Sequence, residues 1–487
     1  MEQRLLTDGA VRDPCHSRVL ETALALSLLR RGTRYGDRAR AAERYLREHR
    51  LRVPRVERAL ADGALRKNTQ LDHGVVEEAI RQAPDFTSRR KRALIDAFAA
   101  VLGSGLHLPW DEQAYALDGL HSWARVQMTA AKVLTAKAAG RPDRVTDEDV
   151  RVLLETQRVP DVWEGNVLLS LCTLHALAEL PRTDAVVEKG LRALLRHQRA
   201  DGGFPFVTDT DTWSTATAGM ALMAAGASST ALSAIETYLL RCQQPGGGWS
   251  YTDRSHQTDV DDTSIAVQFL HSVDPVGNRE PVAQGIRSLR NVARADGGFP
   301  TYVAQAPSEA SMTAAALDAL STDWHRHHQL LNDGLRFLAS RQEADGTFPP
   351  DWSSSRLHTV FRVFLTASRC PDEAPLHVRD MLRRCMTLVL TEQNRDGGFG
   401  QRAGDDSDVI STAYGLIVLC GRPDPRPAAA AVDCLVKAWN DDGGVTSPSD
   451  SIGPRPFVFT VPVLAEVFTL LALGHLAHRI TPGEQAP

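Results

Sequence analysis

The sequence has no excess of basic residues, and this already narrows the functions it can have. Its 487 residues include 55 Lys and Arg against 60 Asp and Glu, which gives a formal net charge of -5. Binding to nucleic acid relies on a positive field or a basic stripe, and this balance supplies neither. We therefore expect no nucleic-acid partner, and we expect any anionic ligand to be held by a local group of side chains.

Cysteines are few and scattered. No C-x-x-C pair occurs, and no cysteine lies near histidines at the spacing of a metal site. The N-terminal stretch MEQRLLTDGAVRDP lacks the basic and apolar parts of a secretion signal. These features predict a protein without a disulfide framework, in a reducing, cytoplasmic location. The seven cysteines are Cys15, Cys172, Cys242, Cys370, Cys385, Cys420 and Cys434.

Long apolar runs are also scarce. The stretch from Phe457 to Ala477 is long enough to cross a membrane, but it contains Pro462 and Glu466. A charge in the middle of a span costs roughly 2.5 kcal/mol or more. This run is therefore interpreted as a buried core helix.

An internal repeat is what the sequence does have. A glycine turn followed by a large apolar residue recurs six times, at intervals of 45, 50, 49, 51 and 46 residues. An amphipathic helical pattern precedes each turn, and a mostly apolar helical pattern follows it. This order predicts six helical hairpins whose second helices are surrounded by protein. The turns end at Phe204, Trp249, Phe299, Phe348, Phe399 and Val445.

Six such hairpins close naturally into an all-α ring, an (α/α)6 toroid, with the apolar helices inside. The glycine turns then lie at one end of the ring, and side chains near them converge on one mouth. Residues 36–184 are helical in pattern without the glycine repeat, and we predict a second, inserted domain there. The predicted boundaries are 1–35 for an N-terminal helix of the toroid, 36–184 for the insert and 185–487 for the toroid.

One repeat carries an acidic run before its inner helix, in TDVDDTSIAVQFL. Capping of the helix by Thr258 or Asp259 is one interpretation. Capping needs a single carboxylate, however, whereas this run places Asp259, Asp261 and Asp262 at an apolar mouth. Crowding and burial should keep at least one of them protonated near neutral pH. We predict that Asp261 protonates a weakly basic alkene, with Asp259 and Asp262 setting its proton affinity.

A carbocation formed in this way needs stabilisation without attack by a nucleophile. Aromatic faces provide this through cation–π attraction, and several aromatic residues lie on or just before the inner helices. Plain core packing is the alternative role for each of them. The candidates are Trp213, Tyr302, Trp352, Phe361, Phe364, Tyr414, Phe457 and Phe459.

These motifs together resemble the squalene-hopene cyclase superfamily, especially bacterial class II diterpene cyclases. DVDDT resembles the family's D-x-D-D-T motif, whose middle aspartate donates the proton and corresponds to Asp261. The turns resemble its QW repeats, with Q-x5-aromatic kept from Gln198 to Phe204 and from Gln243 to Trp249. The resemblance implies a toroid of the terpenoid cyclase β-domain type with an inserted helical γ-type domain. It is good from about residue 185 and weaker before it.

The chain departs from this family at one position. Where squalene-hopene cyclases place a histidine beside the acid, PSEASMTAAALDAL has Ala315. This difference favours the relatives that cyclise prenyl diphosphates, and it leaves His256 or a water as the acid's partner. Those relatives hold an intact diphosphate, usually with magnesium, between the toroid and the insert. The resemblance suggests Glu164 as a metal ligand and Arg356, His358 and Arg362 as phosphate contacts, while Asp405, Asp406 and Asp408 could bind magnesium, help to terminate the cation or cap a helix.

The preferred function is cyclisation of geranylgeranyl diphosphate to a bicyclic diphosphate of labdane, clerodane or halimane type. Farnesyl diphosphate, giving a drimenyl-type product, is a further candidate, as is a non-phosphorylated polyprene. No D-D-x-x-D lies on a convincing helix, so the diphosphate should remain in the product. A zinc-dependent protein prenyltransferase β subunit is an alternative on the same toroid, but none of the seven cysteines of this chain is suitably near the start of an inner helix for the zinc site. A non-catalytic helical binding module is the other alternative. We expect no required protein partner and leave open a weak membrane association.

Overall fold

The computed structural model describes residues 1–67, 71–81, 87–104, 109–370, 374–442, 444–452 and 457–480. Contacts within the chain divide it into two compact units. We call Pro14–Asp209 with Ile452–Phe459 the second unit. We call Met1–Asp13, Thr210–Ser451 and Thr460–Pro487 the toroid unit.

The described residues of the second unit form nine α-helices and short strands. Five of the helices, α1, α3, α5, α6 and α8, contact one another in succession, and α8 returns to α1, so that they form a small closed ring. Strand β1 (Ser17–Arg18) pairs antiparallel with β2 (Phe204–Pro205), and β3 (Ser451–Ile452) pairs with β4 (Val458–Phe459). The helices are α1 Val19–Leu29, α2 Gly36–His49, α3 Arg55–Ala64, α4 His73–Ile80, α5 Ser88–Leu102, α6 Ser122–Ala138, α7 Asp147–Glu155, α8 Val167–Leu177 and α9 Asp184–Leu195.

The described residues of the toroid unit form eleven α-helices in two layers. Six inner helices contact their neighbours in order, and the last contacts the first, which closes the predicted ring. The inner helices are α10 Asp211–Ala224, α12 Val260–Val273, α14 Ala310–Leu320, α16 Leu357–Ser368, α18 Val409–Leu419 and α20 Leu464–Ile480. The outer helices are α11 Ser229–Cys242, α13 Arg279–Val292, α15 Trp324–Arg341, α17 Leu376–Glu392 and α19 Arg426–Asp442. The all-α toroid is thus confirmed.

The glycine turns have one recurring geometry, as Gly297 to Phe299 illustrates. Gly297 has a φ of +85°, and a Cβ there would lie 2.6 Å from the carbonyl oxygen of Asp333 on the next outer helix. Only glycine therefore allows this close approach. Phe299 is fully buried, and its amide donates to Thr313 Oγ1 on α14 at 2.9 Å. The turns that end at Trp249, Phe299, Phe348 and Phe399 each join an outer helix to the following inner helix in this way. The sixth predicted turn includes Gly443, which lies outside the described residues.

Glutamine side chains support these turns more widely than the sequence pattern suggested. Gln243 donates to the carbonyl oxygens of Gly247 and Pro281 at 2.8 and 2.9 Å. The same double contact joins Gln393 to Gly397 and Pro427, both at 2.8 Å. The Q-x5-aromatic spacing also occurs from Gln342 to Phe348 and from Gln393 to Phe399.

The division of the chain differs from the predicted boundaries at both ends of the insert. Helix α1, expected in the toroid, packs against α2, α3, α5 and α8 of the second unit. Every residue of α1 except Ser27 is buried. A helix that is apolar all round needs neighbours on all sides, and the helices of the second unit provide them. Residues 1–13, by contrast, do join the toroid unit, where the Val11 amide donates to Thr215 Oγ1 at 2.8 Å.

The first glycine turn also lies in the second unit. Arg18 pairs with Phe204 across the two short strands, and a Cβ on Gly202 would meet the carbonyl oxygen of Ala41 on α2 at 2.5 Å. The pattern of this turn resembles that of the later turns because the local geometry is the same. Its partners, however, are helices that precede it in the chain. No helix among the described residues is long and apolar enough to cross a membrane.

Candidate active site

The acidic run surrounds the start of α12. Asp259 is the N-cap, and its carboxylate accepts a hydrogen bond from the amide of Asp262 at 2.8 Å. Capping thus explains Asp259. It does not explain Asp261 or Asp262, which occupy the first turn of the helix. Asp262 is buried, whereas the Asp261 side chain is 20% exposed and lines a cavity.

The cavity lies inside the toroid unit, among α10, α12, α14, α16 and α20. The empty space at this cavity, including the part open to solvent, is about 760 Å³. Its walls are mostly apolar around the Asp261 carboxylate. The apolar and small residues that line it are Met220, Ala224, Ile265, Ala314, Ala315, Phe361, Leu365, Phe468 and Leu471.

Arg362, predicted to contact phosphate, is instead bonded to Asp261. Its Nη1 lies 2.5 Å from Asp261 Oδ1 and its Nη2 lies 3.2 Å from Oδ2, so the guanidinium meets both carboxylate oxygens. The two side chains are 14% and 20% exposed, and this ion pair is therefore poorly screened by solvent. Arg362 is also the hydrogen-bond partner of the acid that sequence reasoning left unidentified. His256, the residue suggested for that role, contacts Gln244 at 3.2 Å and is exposed.

The other two carboxyls of the run favour protonation. Burial is the main cause that raises the pKa of Asp259 to about 6, and the nearby Asp261 charge adds to it. Burial, followed by the charge of Asp259 and a hydrogen bond to it, holds the pKa of Asp262 well above its usual range. Asp262 Oδ1 is buried and has no hydrogen-bond partner. The neutral acid expected at this mouth is thus Asp262, whereas Asp261 faces the cavity with a cation beside it.

Three aromatic side chains pack together at the site, and two of them, Phe361 and Phe468, form the aromatic wall of the cavity. Phe361 stacks on Tyr414 with ring centroids 4.6 Å apart, and Phe468 meets Tyr414 edge-on at 4.9 Å. Phe361 and Phe468 line the cavity, and Trp213 lies 6.4 Å from Phe468. The predicted residues Phe361, Tyr414 and Trp213 are therefore brought together. Phe468 was missed, although it lies in the apolar run that was assigned to the last inner helix.

The remaining predicted aromatics of the toroid unit are not part of the cavity lining, although Tyr302 lies within electrostatic range of Asp259 and Asp262. Tyr302 and Trp352 meet edge-to-face at 6.2 Å, and the Trp352 indole donates to Thr301 and Glu309 at 3.1 Å. Phe364 packs over Gly421, where an added Cβ would meet its ring at 2.5 Å. None of these three lines the cavity formed by the described residues.

Two further candidates, Phe457 and Phe459, belong to the second unit. Phe457 lies 5.7 Å from the Arg18 guanidinium, and Phe459 lies 5.1 Å from the ring of Phe206. Their helical pattern was misleading because α20 begins only at Leu464, after both residues.

The other predicted phosphate contacts have carboxylate partners. Arg356 pairs with Asp345 at 3.0 Å and with Glu392 at 2.9 Å. His358 Nδ1 lies 2.6 Å from Asp351 Oδ2 in a buried pair. Although burial acts to raise it, the charge of His358 and its hydrogen bond lower the pKa of Asp351 to about 2. Both basic groups therefore have local structural partners.

The acidic candidates for a metal do not come together as a site. Glu164, in the second unit, is buried and accepts a hydrogen bond from the Trp123 indole at 2.5 Å. An indole donor beside the carboxylate is not the oxygen-rich setting that magnesium prefers. Asp408 caps α18 through the Ser411 amide at 2.8 Å, and Asp405 accepts from the Arg402 amide at 3.1 Å. Across the described ranges no group of three or more His, Cys, Asp or Glu could hold a metal ion. These residues do not fit a protein-built magnesium site.

A polar cluster at the other end of the cavity was not predicted. Arg369 Nη1 lies 2.8 Å from Asp318 Oδ1, and Gln268 and His475 line the cavity with them. Burial raises the pKa of Asp318 and, as the main cause, lowers that of His475 to about 4. No local motif marks these residues, because they come from different inner helices.

Comparison with known proteins agrees with this architecture. Residues 165–349 and 359–438 match the family model described as prenyltransferase alpha-alpha toroid domain. Drimenyl diphosphate synthase of Streptantibioticus cattleyicolor is 36% identical over 491 residues, which cover 96% of this chain and 91% of that protein. The enzyme of the same name from Streptomyces showdoensis is 36% identical over 488 residues, with the same coverage. The structure of ent-copalyl diphosphate synthase from Streptomyces platensis has a TM-score of 0.62 at 18% identity, and the match covers 96% of both chains. That last likeness concerns the fold alone.

Proposed function

The chain belongs to the class II terpene cyclases with a prenyltransferase alpha-alpha toroid domain, and from this membership we propose that it converts farnesyl diphosphate into drimenyl diphosphate. The observation that carries the proposal is the position of Asp261. This carboxyl lines a cavity with mostly apolar walls inside the ring, beside an aromatic wall. An acid and a cation-stabilising surface thus face the same space.

In the proposed reaction Asp261 takes up a proton from solution, and this proton then moves from its carboxyl to the terminal alkene of the substrate. The π electrons of that alkene form the new C–H bond and leave a carbocation at the adjacent carbon. Successive alkenes attack the cation and close two rings, and loss of a proton from carbon ends the sequence. The diphosphate takes no part in bond breaking and stays in the product. Phe361 and Phe468 line the same cavity, and in this proposal their rings stabilise the cation.

The choice of a C15 substrate follows the relatives, whereas the sequence features favoured geranylgeranyl diphosphate. The two relatives compared above are both named drimenyl diphosphate synthase and resemble this chain over nearly its whole length. The ent-copalyl diphosphate synthase from Streptomyces platensis supports the fold only. We therefore prefer farnesyl diphosphate to geranylgeranyl diphosphate, and both to a non-phosphorylated polyprene. Magnesium, a cytoplasmic location and a weak membrane association stay predictions.

Product analysis tests this proposal directly. The purified protein would be incubated separately with farnesyl diphosphate, geranylgeranyl diphosphate and squalene, and the products identified by mass spectrometry after phosphatase treatment. We expect a bicyclic C15 alcohol that appears only after the phosphatase step. Asp261→Asn should abolish it while the circular dichroism spectrum is retained, and Asp333→Asn, on the outer helix α15, is the matched control. Unchanged turnover in Asp261→Asn would contradict the proposed role and favour a non-catalytic module.

A further inference from the structure

The contact between Arg362 and Asp261 joins two parts of the ring that are 101 residues apart. Asp261 lies in the first turn of α12, and Arg362 lies in the second turn of α16. Both side chains line the cavity, as does Ala315 on the intervening helix α14. Ala315 has no polar side-chain atom to offer the acid. The guanidinium from α16 therefore occupies the position of a hydrogen-bond donor to Asp261.

We propose that Arg362 is the positioning residue of the proton donor, and that it stabilises the Asp261 carboxylate left behind when the proton moves to the alkene. This inference rests on the proposed cyclase function and deepens it. Arg362 acts through Asp261 and carries no proton to the substrate itself. Its role is to hold the donor in place and to stabilise the charge that the carboxyl acquires.

The chemistry of alkene protonation gives this role its value. A carbon–carbon double bond is a very weak base, so the transition state lies late, with the proton almost transferred and the carboxylate almost formed. A fixed cation bonded to both oxygens stabilises charge at the place where it develops.

Other ionisable groups around the pair determine how strong this effect is. On α12, Asp259 and Asp262 lie beside Asp261, and a proton on Asp262 removes one of the competing charges. Arg362 also interacts electrostatically with Tyr414 and Asp351, and it acts on Asp318 of α14. Tyr302, before α14, faces Asp259 and Asp262. Arg362 donates hydrogen bonds to both oxygens of Asp261, so removal of Arg362 should act on Asp261 first.

A pH profile separates this role from a merely structural one. For the wild type, turnover of farnesyl diphosphate should keep rising as the pH falls. In Arg362→Gln the inflection should move about one unit or more toward higher pH, and the acidic plateau should be about ten- to a hundredfold lower. Arg362→Lys keeps the charge. Its inflection should therefore lie closer to that of the wild type than the inflection of Arg362→Gln does, and it should recover part of the turnover on the acidic plateau. Arg356→Gln, which removes an ion-paired arginine outside the cavity, is the control and should leave the inflection in place.

An activity-independent measurement keeps this inference separate from the proposed function. Infrared difference spectra against pH would follow the carboxylic acid band that disappears in Asp261→Asn. We expect this band to persist to higher pH in Arg362→Gln than in the wild type. An unmoved band, or a plateau that falls with no shift of the inflection, would overturn the role of Arg362. Absence of any cyclised product from the wild type, with the band shifted as expected, would instead refute the cyclase proposal.

Discussion

Asparagine at position 259 should make the protein more stable at neutral pH, although Asp259 belongs to the catalytic motif. Asp259 caps α12 by accepting from the Asp262 amide, and an asparagine side chain can cap a helix equally well. The substitution therefore keeps the cap and removes a crowded carboxylate. Burial is the main reason why that carboxylate is unfavourable in the folded state.

The size of the effect follows from the shift in pKa. The value for Asp259 rises from the ordinary 3.8 to about 6 on folding. At about 1.36 kcal/mol per pH unit this corresponds to a penalty of about 3 kcal/mol. Because the folded state binds the proton more tightly than the unfolded chain, the penalty is absent below about pH 3.8. It grows between the two pKa values and is complete above about pH 6.

Urea unfolding of the wild type and Asp259→Asn between pH 4 and pH 8 would test this. The two proteins should unfold at similar urea concentrations at pH 4, and the variant should need more urea above pH 6. Asp323→Asn, which replaces an exposed cap of α15, should show no such dependence on pH. A variant that is less stable than the wild type at pH 8 would refute the reasoning, because Asp259 would then be held in its charged form by favourable contacts.

Two further predictions concern the aromatic wall and the glycine turns. Phe361→Leu removes a ring that lines the cavity, so turnover should fall about two- to thirtyfold with folding retained. Phe364→Leu, outside the cavity, is the kinetic control. An equal loss of turnover in both variants would contradict the cation-stabilising role of Phe361. Gly297→Ala forces a Cβ against the Asp333 carbonyl oxygen in addition to the backbone strain, and it should lower the thermal midpoint more than Gly404→Ala. Gly404 has a similar φ of +82° and nothing within 4 Å, so equal losses would show that strain alone matters.

Much of the fold was predictable because its signals are local. A glycine with positive φ, a buried aromatic two residues later and a glutamine six residues before that aromatic all lie within one turn. Their spacing therefore appears directly in the sequence, as it does for Gln243, Gly247 and Trp249. Asp261 was predicted for the same reason, since its neighbours Asp259 and Asp262 are set by one helical turn. The expectation that this carboxyl faces an enclosed apolar space needed only the repeat and the apolar inner helices.

What the sequence alone could not decide are contacts that exist only because the ring closes. Arg362 looked like a phosphate ligand, and only the packing of α16 across from α12 turns its guanidinium toward Asp261. Phe468 reaches the aromatic wall because α20 closes the ring next to α10 and α18. Helix α1 has the composition of any buried helix, and its neighbours rather than its residues place it in the second unit. The sequence determined the acidic run at the start of α12, because spacing along a helix is a local property. The tertiary structure decided which charges meet, because an ion pair depends on distances between residues that are far apart in the chain.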